Sequence, residues 1–368
     1  MTPATSILSD GIRLCVTFAI AGSVGYGLLL LDAPAPFLLG SLFGVWIIGG
    51  LVPQIRPHLG VARWFHIPIV IGLGVLIGSF FTAEILMQSG KWIDTVLVTA
   101  FVTMAVTMAG YLFLTRLRSY DQMTAFLCSV PGGQVEVVAI ARDTIDKDYV
   151  VALFHLVRVV FVFSSTPLLL AFLQDAEAVK ASNQAMLSLP SLFDLSWQEL
   201  AGFIGLSVAG FWLAKLIGLP MPHMLGPVFI SIAAHSSGLI FIPRCTEFVL
   251  LAQLSIGGAI GARLAQVRFG ELLTYIKDAI INALIILSLY GIATIIMASI
   301  TNNSMLQIWL AFIPGGYYEV TLLALIFGFD IAFVAFHHTI RTMMIYLFLP
   351  AIAVKLRHDT SADNRPNS

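Results

Sequence analysis

Pro131-Gly132-Gly133-Gln134-Val135-Glu136-Val137 opens a stretch that runs through His155-Leu156-Val157-Arg158 to Pro167. The stretch returns as Pro314-Gly315-Gly316-Tyr317-Tyr318-Glu319-Val320, then His338-Thr339-Ile340-Arg341, then Pro350. The displacement is 183 residues throughout, without a gap, and eleven of the 37 paired positions are identical. Chance at ordinary residue frequencies would give about two or three. Both copies set Pro-Gly-Gly, Glu, His and Arg within strongly apolar sequence, so the chain is a duplication and these positions are where its chemistry is to be sought.

The duplication extends outward. Gly74-Val75-Leu76-Ile77-Gly78 matches Gly257-Gly258-Ala259-Ile260-Gly261, again 183 residues on. Small residues four apart let helix backbones approach closely in lipid, so close packing is the first reading and a sliding surface the second. Leu31-Asp32-Ala33-Pro34-Ala35-Pro36 is echoed by Ile217-Gly218-Leu219-Pro220-Met221-Pro222 at a displacement of 186. That echo bears on the N-terminus, which resembles a signal peptide, with Arg13 ahead of an apolar run ending near Ala33. A cleavable leader has no reason to be duplicated, so the run is expected to be the first span.

Composition sets the compartment. Of the residues 58% are apolar and 11% charged, with a mean hydropathy of +0.94. An ordinary soluble chain carries about 25% charged residues. A polytopic membrane protein follows, and a soluble globular domain is excluded. The net charge of −1 and the lack of a basic stripe give no footing for nucleic acid. Cys15, Cys128 and Cys245 are isolated, without the spacing of a disulfide framework or a thiolate zinc site.

Apolar segments at about 11–31, 37–52, 66–83, 93–114, 122–141 and 149–173 are repeated at about 197–218, 223–242, 247–266, 279–300, 305–327 and 331–354. We read 11–173 as a first membrane repeat, 174–196 as a solvated linker, 197–355 as a second repeat and 356–368 as a polar tail. The Pro-Gly-Gly segments are poor helices, since proline lacks a donor and each glycine costs about 1 kcal/mol in a helix interior. Non-helical backbone at membrane depth requires a covering of protein or a watery cavity. Segments 122–141 and 305–327 therefore read as broken or re-entrant elements.

The distribution of basic residues favours this reading. Twelve crossings with an inside N-terminus would put ten basic residues inside and seven outside. With two re-entrant segments, fourteen fall inside and only Lys91, Lys180 and Arg244 outside, Arg158 and Arg341 lying within spans. Each half then has five true spans, an odd number, and the second half is inverted. The expected fold is all-α: a five-plus-five inverted repeat with two broken or re-entrant Pro-Gly-Gly elements and both termini cytoplasmic. Transporters are commonly built this way, with discontinuous helices meeting near the bilayer midplane.

Ionisable residues inside spans are costly, by roughly 2.5–3.5 kcal/mol on insertion scales, and face the bundle interior. Glu136, His155 and Arg158 and their mates Glu319, His338 and Arg341 are such residues. Each His shares a helix face with the Arg three positions on. They can form internal ion pairs, with each His satisfying a nearby carbonyl. They can equally bind an anionic solute through Arg158 and Arg341, with Glu or His carrying a coupled proton. Backbone at Gly132, Gly133, Gly315 and Gly316 would present helix N-termini to an anion. Gln134, Tyr317 and Tyr318 differ between the copies and would make the site asymmetric. His337, about 100° from His338 on a helix, reads as polar packing. A metal held by the Glu and His residues is disfavoured by the neighbouring arginines and by the lack of Glu-x-x-His or HExxH spacing. No catalytic group, cofactor or ATP-binding motif is called for.

With Pro-Gly-Gly-x-x-Glu followed by His-x-x-Arg in both halves, the chain resembles the AbrB family of bacterial inner-membrane proteins, distinct from the small soluble DNA-binding regulator of the same name. The resemblance covers nearly the whole chain. It implies a duplicated membrane architecture like that of other five-plus-five inverted-repeat carriers with re-entrant hairpins, and the inner membrane as location. The family's labels of gene regulation and ammonia monooxygenase find no DNA-binding module and no copper or iron site among these residues. The function expected is secondary transport of a small, anionic solute, proton-coupled in one version. A sensory or gene-regulatory membrane protein and, last, a metallo-oxidase are the alternatives. The partners are the solute and the lipid bilayer, with a homodimer as one arrangement and no nucleic acid.

The inverted topology makes a direct prediction. In a variant lacking Cys15, Cys128 and Cys245, a cysteine introduced by Ser188→Cys reacts with an impermeant thiol reagent from outside the cell. One introduced by Lys147→Cys reacts only from inside, and labelling of both from one side rejects the topology.

Overall fold

A computed structural model describes residues 3–132, 134–173, 176–267 and 269–363, with the side chains of 3–6, 134–136, 139, 269–273, 350, 353 and 355–363 outside that description. The described residues form helices joined by turns and short extended links, without a strand. In chain order the helices are α1 (Pro3–Leu30), α2 (Pro36–Leu39), α3 (Val45–Leu51), α4 (Arg63–Gly78), α5 (Ala83–Gln88) and α6 (Ile93–Leu112). Then come α7 (Gln122–Ser129), α8 (Gln134–Thr144), α9 (Asp148–Leu173) and α10 (Ala176–Leu187). The second half holds α11 (Trp197–Leu216), α12 (Pro222–Ser236), α13 (Thr246–Gln266), α14 (Phe269–Ile300), α15 (Met305–Phe312), α16 (Tyr317–Phe327) and α17 (Ile331–Asp363).

Seven of these stretches are long and apolar enough to cross a bilayer: Ile7–Leu30, Ala83–Leu117, Asp148–Leu173, Trp197–Leu216, Thr246–Gln266, Thr274–Ile300 and Ile331–Leu349. The sequence reading counted ten spans. The other three fall on Pro36–Leu51, on α4 and on α12, and the latter two have 16 and 15 residues. At 1.5 Å per residue such helices reach roughly 23 Å, short of a hydrocarbon core of about 30 Å. Length alone therefore picks out seven. The surfaces agree with a lipid environment: on α11, Trp197, Trp212 and Leu216 are 78%, 59% and 83% exposed. Water would not tolerate so continuous an apolar face.

The helices gather into two compact units, each taking matched pieces from both sequence halves. One comprises 1–90, 163–268 and 321–332, the other 91–162, 269–320 and 333–368. In the first unit the halves exchange partners. Gly74 and Gly78 of α4 lie against the carbonyls of Met224 and Val228 on α12, so that a Cβ at either glycine would strike backbone. Their mates Gly257 and Gly261 of α13 lie in the same way against the carbonyls of Leu38 and Leu42. Each half's third segment thus packs on the other half's second. The small residues serve close packing, the first of the two readings.

Local signals repeat as faithfully. Ala35 and Met221, the residues before α2 and α12, both adopt left-handed backbone with φ of 46° and 47°, followed by Pro36 and Pro222. The side chain of Asp121 accepts the Thr124 N–H at 2.8 Å to start α7, and Ser304 accepts that of Gln307 at 3.2 Å to start α15. Such caps satisfy a donor that the first helical turn leaves open.

Residues 174–196, expected as a solvated linker, carry α10, with Val179, Asn183 and Met186 buried. Asn183 donates to the Ala33 carbonyl at 2.9 Å and Ser182 to that of Ile326 at 3.1 Å. The charges that suggested a linker, Glu177 and Lys180, sit on the helix's outward side, exposed or partly so.

Exchange of packing partners implies that Gly74→Val and Gly257→Val both destabilise the protein by about 1–3 kcal/mol, the usual cost of forcing methyl groups into filled space. Gly22→Val, at a position with nothing within 4 Å, is the control. Thermal unfolding in detergent should show a lowered midpoint for the first two alone.

Candidate functional site

Both Pro-Gly-Gly breaks lie in the second unit. Helix α7 ends where the Val130 N–H bonds the Phe126 carbonyl at 3.1 Å, and α15 where the Ile313 N–H bonds that of Trp309 at 2.8 Å. A continuing helix would next send the N–H of residue 131 to Leu127 and that of residue 314 to Leu310. Both positions are proline and have no N–H to send. Two main-chain carbonyls are thereby stranded inside the protein, where an unsatisfied polar group is costly.

The histidines take them up. His155 Nε2 lies 3.0 Å from the Leu127 carbonyl oxygen, and His338 Nε2 lies 2.8 Å from that of Leu310. On each ring the other nitrogen faces the arginine three residues on. Arg158 Nη2 is 2.8 Å from His155 Nδ1 and Arg341 Nη2 is 2.6 Å from His338 Nδ1. A carbonyl can only accept and a guanidinium can only donate, so each ring is neutral with its proton on Nε2. Both ring nitrogens are occupied, which leaves neither histidine a lone pair for a metal. Among the described residues no three His, Cys, Asp or Glu side chains gather in a metal-binding group.

The arginines then diverge. Arg341 donates through Nη1 to the carbonyls of Phe312 at 2.8 Å and Ile313 at 3.0 Å, with Nη2 3.5 Å from that of Gly315. These are the last carbonyls of α15 and the turn beyond, the groups that a helix end leaves open. Arg158 makes no such bonds among the described residues, and its buried Nε has no hydrogen-bond partner there. Both side chains are buried, at 3% exposure each, and they repel one another electrostatically.

Tyr290 of α14, fully buried, lies within electrostatic reach of both cations. Its hydroxyl is 2.9 Å from Thr103 Oγ1, which donates in turn to the Thr99 carbonyl at 2.7 Å. Because Thr103 gives its proton to the main chain, Tyr290 is the donor to Thr103. Sequence reasoning missed Tyr290 because the repeat pairs it with Thr107, which has no aromatic ring or acid–base character to attract notice.

The remaining expected residues fall as follows. Gly132 has φ +111°, open to glycine and unfavourable for other residues. Gly133 lies outside the described residues, as do the side chains of Gln134 and Glu136, at the start of α8. Gly315 and Gly316 leave no room for a Cβ: at Gly315 it would overlap Val320, at Gly316 the Glu319 carboxylate. Glu319 is therefore folded over the first turn of its own helix α16, at 4% exposure. The helix N-terminus that was expected to await an anion is covered by the carboxyl group of its own Glu319. Tyr317 is buried, its hydroxyl 3.1 Å from Thr339 Oγ1, and packs edge-on to His338. His337 is the polar packing residue expected, with Nδ1 2.8 Å from the Phe333 carbonyl and Nε2 2.8 Å from Thr95 Oγ1.

A family model described as Transition state regulatory protein AbrB matches residues 37–357. The chain belongs to the AbrB family. One relative, named "Putative regulator AbrB" in Escherichia coli (strain K12), is 28% identical over 355 residues, covering 92% of this chain and 94% of its own. Another, named "Uncharacterized protein YhjN" in Bacillus subtilis (strain 168), is 24% identical over 357 residues, covering 90% and 92%. The match takes in both Pro-Gly-Gly breaks and both His-x-x-Arg pairs. This AbrB-family chain is a multi-pass membrane protein.

If His338 serves the carbonyl that Pro314 strands, the two positions are coupled. His338→Ala should cost about 1–3 kcal/mol, the penalty for a buried acceptor left open. Adding Pro314→Ala restores an N–H for Leu310, so the double variant should recover about 1 kcal/mol relative to the sum of the singles. Strict additivity in denaturation would separate the histidine from that carbonyl.

Proposed function

We propose that this protein is a secondary transporter that moves a small anionic solute across the bacterial inner membrane. The observation that carries the reading is the pair of buried guanidiniums, Arg158 and Arg341, each beside a neutral imidazole. Buried charge of one sign calls for an opposite charge, from the protein or from a ligand. Glu319 is committed to the start of α16 and Arg341 to main-chain carbonyls, so Arg158, with its open Nε, is the group to receive a solute anion. Tyr290 stands beside it, its own proton already given to Thr103.

In this proposal the halves are inverted, the breaks enter from opposite leaflets and both termini are cytoplasmic. In the same proposal the two breaks, at Gly132 and at Gly315 and Gly316 with Tyr317, stand beside the solute's path. A coupled proton, where the cycle uses one, falls to Glu136 or Glu319 and not to the histidines, whose nitrogens are both engaged. Nothing in this chemistry needs a catalytic group, and a homodimer is compatible with it.

A second reading comes from the relatives, since one carries the name of a regulator. A membrane protein that alters gene expression by changing the level of a solute would reconcile the two. A sensor that signals without flux would not depend on Arg158 as a solute ligand.

The test is uptake into proteoliposomes of inorganic phosphate, sulfate and a panel of small mono- and dicarboxylates. Arg158→Ala should abolish the uptake shown by the native protein, in a protein that still inserts into the membrane and unfolds cooperatively. Arg158→Lys, which keeps charge but loses the planar fork, should retain a small part of it. Undiminished uptake by Arg158→Ala would remove that residue from the solute path.

A further inference from the structure

The first unit contains a cavity of about 130 Å³ that the breaks and their arginines do not explain. Its walls are Met186 near the end of α10, Leu189 just beyond it, Val249 of α13 and Leu325 near the end of α16, with Arg244 from the segment leading into α13. Apart from Arg244, its polar groups are already used. The Ser182 hydroxyl donates to the Ile326 carbonyl at 3.1 Å, and the Phe329 N–H closes the end of α16 on the Ala324 carbonyl at 3.0 Å. Gly328, with φ +69°, supplies the left-handed turn that such a closure uses.

Arg244 is different. Its guanidinium is partly buried and lies 5.2 Å from the centre of the Phe80 ring, and it has no hydrogen bond or carboxylate partner among the described residues. A ring face stabilises a cation without neutralising it. Arginine presents a planar fork of donors that fits a carboxylate with two parallel bonds. The cavity is thus a partly open, mostly apolar recess with one arginine at its wall that no carboxylate neutralises. Its size decides the rest, since an apolar cavity of about 150 Å³ accommodates a benzene ring.

We infer that this cavity is a binding site for a carboxylate with a compact apolar body, the head held by Arg244 and the body by Met186, Leu189, Val249 and Leu325. The shared chemistry can come from a small soluble acid or from the head of a fatty acid in the bilayer. The site is separate from the solute centre proposed above. It touches the same helix, however, because α16 begins at the second break and ends at this cavity.

The experiment uses the full chain in detergent, with sodium benzoate as probe and benzyl alcohol as its uncharged counterpart. Calorimetric titration and thermal unfolding should show benzoate binding one site per chain and raising the unfolding midpoint, with no effect of benzyl alcohol. Arg244→Gln should weaken benzoate binding by about tenfold or more, as loss of a charge-assisted contact does. Ala185→Phe, an exposed position at the mouth, should block entry in a protein that still unfolds cooperatively. Arg158→Ala should bind benzoate as the native chain does, even if no anion is transported. Displacement of benzoate by oleate would assign the natural ligand to the bilayer, and failure to displace it would assign a soluble acid. Equal binding by the native chain and Arg244→Gln, no binding by the folded native chain, or loss of binding in Arg158→Ala would each overturn the assignment.

Discussion

A main-chain carbonyl stripped of its helical donor has no water to turn to at the depth of a bilayer, and this constraint governs the centre of the protein. Proline at 131 and 314 creates the deficit at Leu127 and Leu310, and the His-x-x-Arg pairs on α9 and α17 meet it. The order of proton donation follows without choice. Arginine donates to imidazole, and imidazole donates to the carbonyl. The histidine is thereby kept neutral and the arginine kept charged. A cation that the backbone requires is then available for other uses wherever its donors are not all spent. Arg341 spends its donors on Phe312 and Ile313 and holds the second break rigid. Arg158 does not, so two copies of one motif have come to differ in what they can offer.

Much of this could be read from the chain. The 183-residue repeat locates both breaks, and α7 and α15, α8 and α16, and α9 and α17 begin at positions related by that interval. Glycine spacing gave the close approaches in the first unit, and hydropathy gave the membrane. What could not be read was the choice of partner. A repeat states that Gly74 corresponds to Gly257, but not that each will pack against the opposite half. The sequence offered His155 both a carbonyl and a proton, and only the arrangement of Leu127 and Arg158 around the ring selects the first. Helix α10 was hidden for another reason. Its charges are on the surface, while Asn183, which anchors it to Ala33, looks like an ordinary linker residue. Tyr290 is matched in the first half by Thr107, which has no ring, so a search guided by symmetry passes over it.

The exchange of partners in the first unit bears on how the protein is made. Helix α4 leaves the ribosome with its paired glycines facing lipid, because Met224 and Val228 are about 150 residues downstream. At typical rates of synthesis that interval lasts on the order of ten seconds. Throughout it, the first half of the chain is an open clasp. Severing the gene between the repeats should therefore yield fragments that accumulate only when both are produced together.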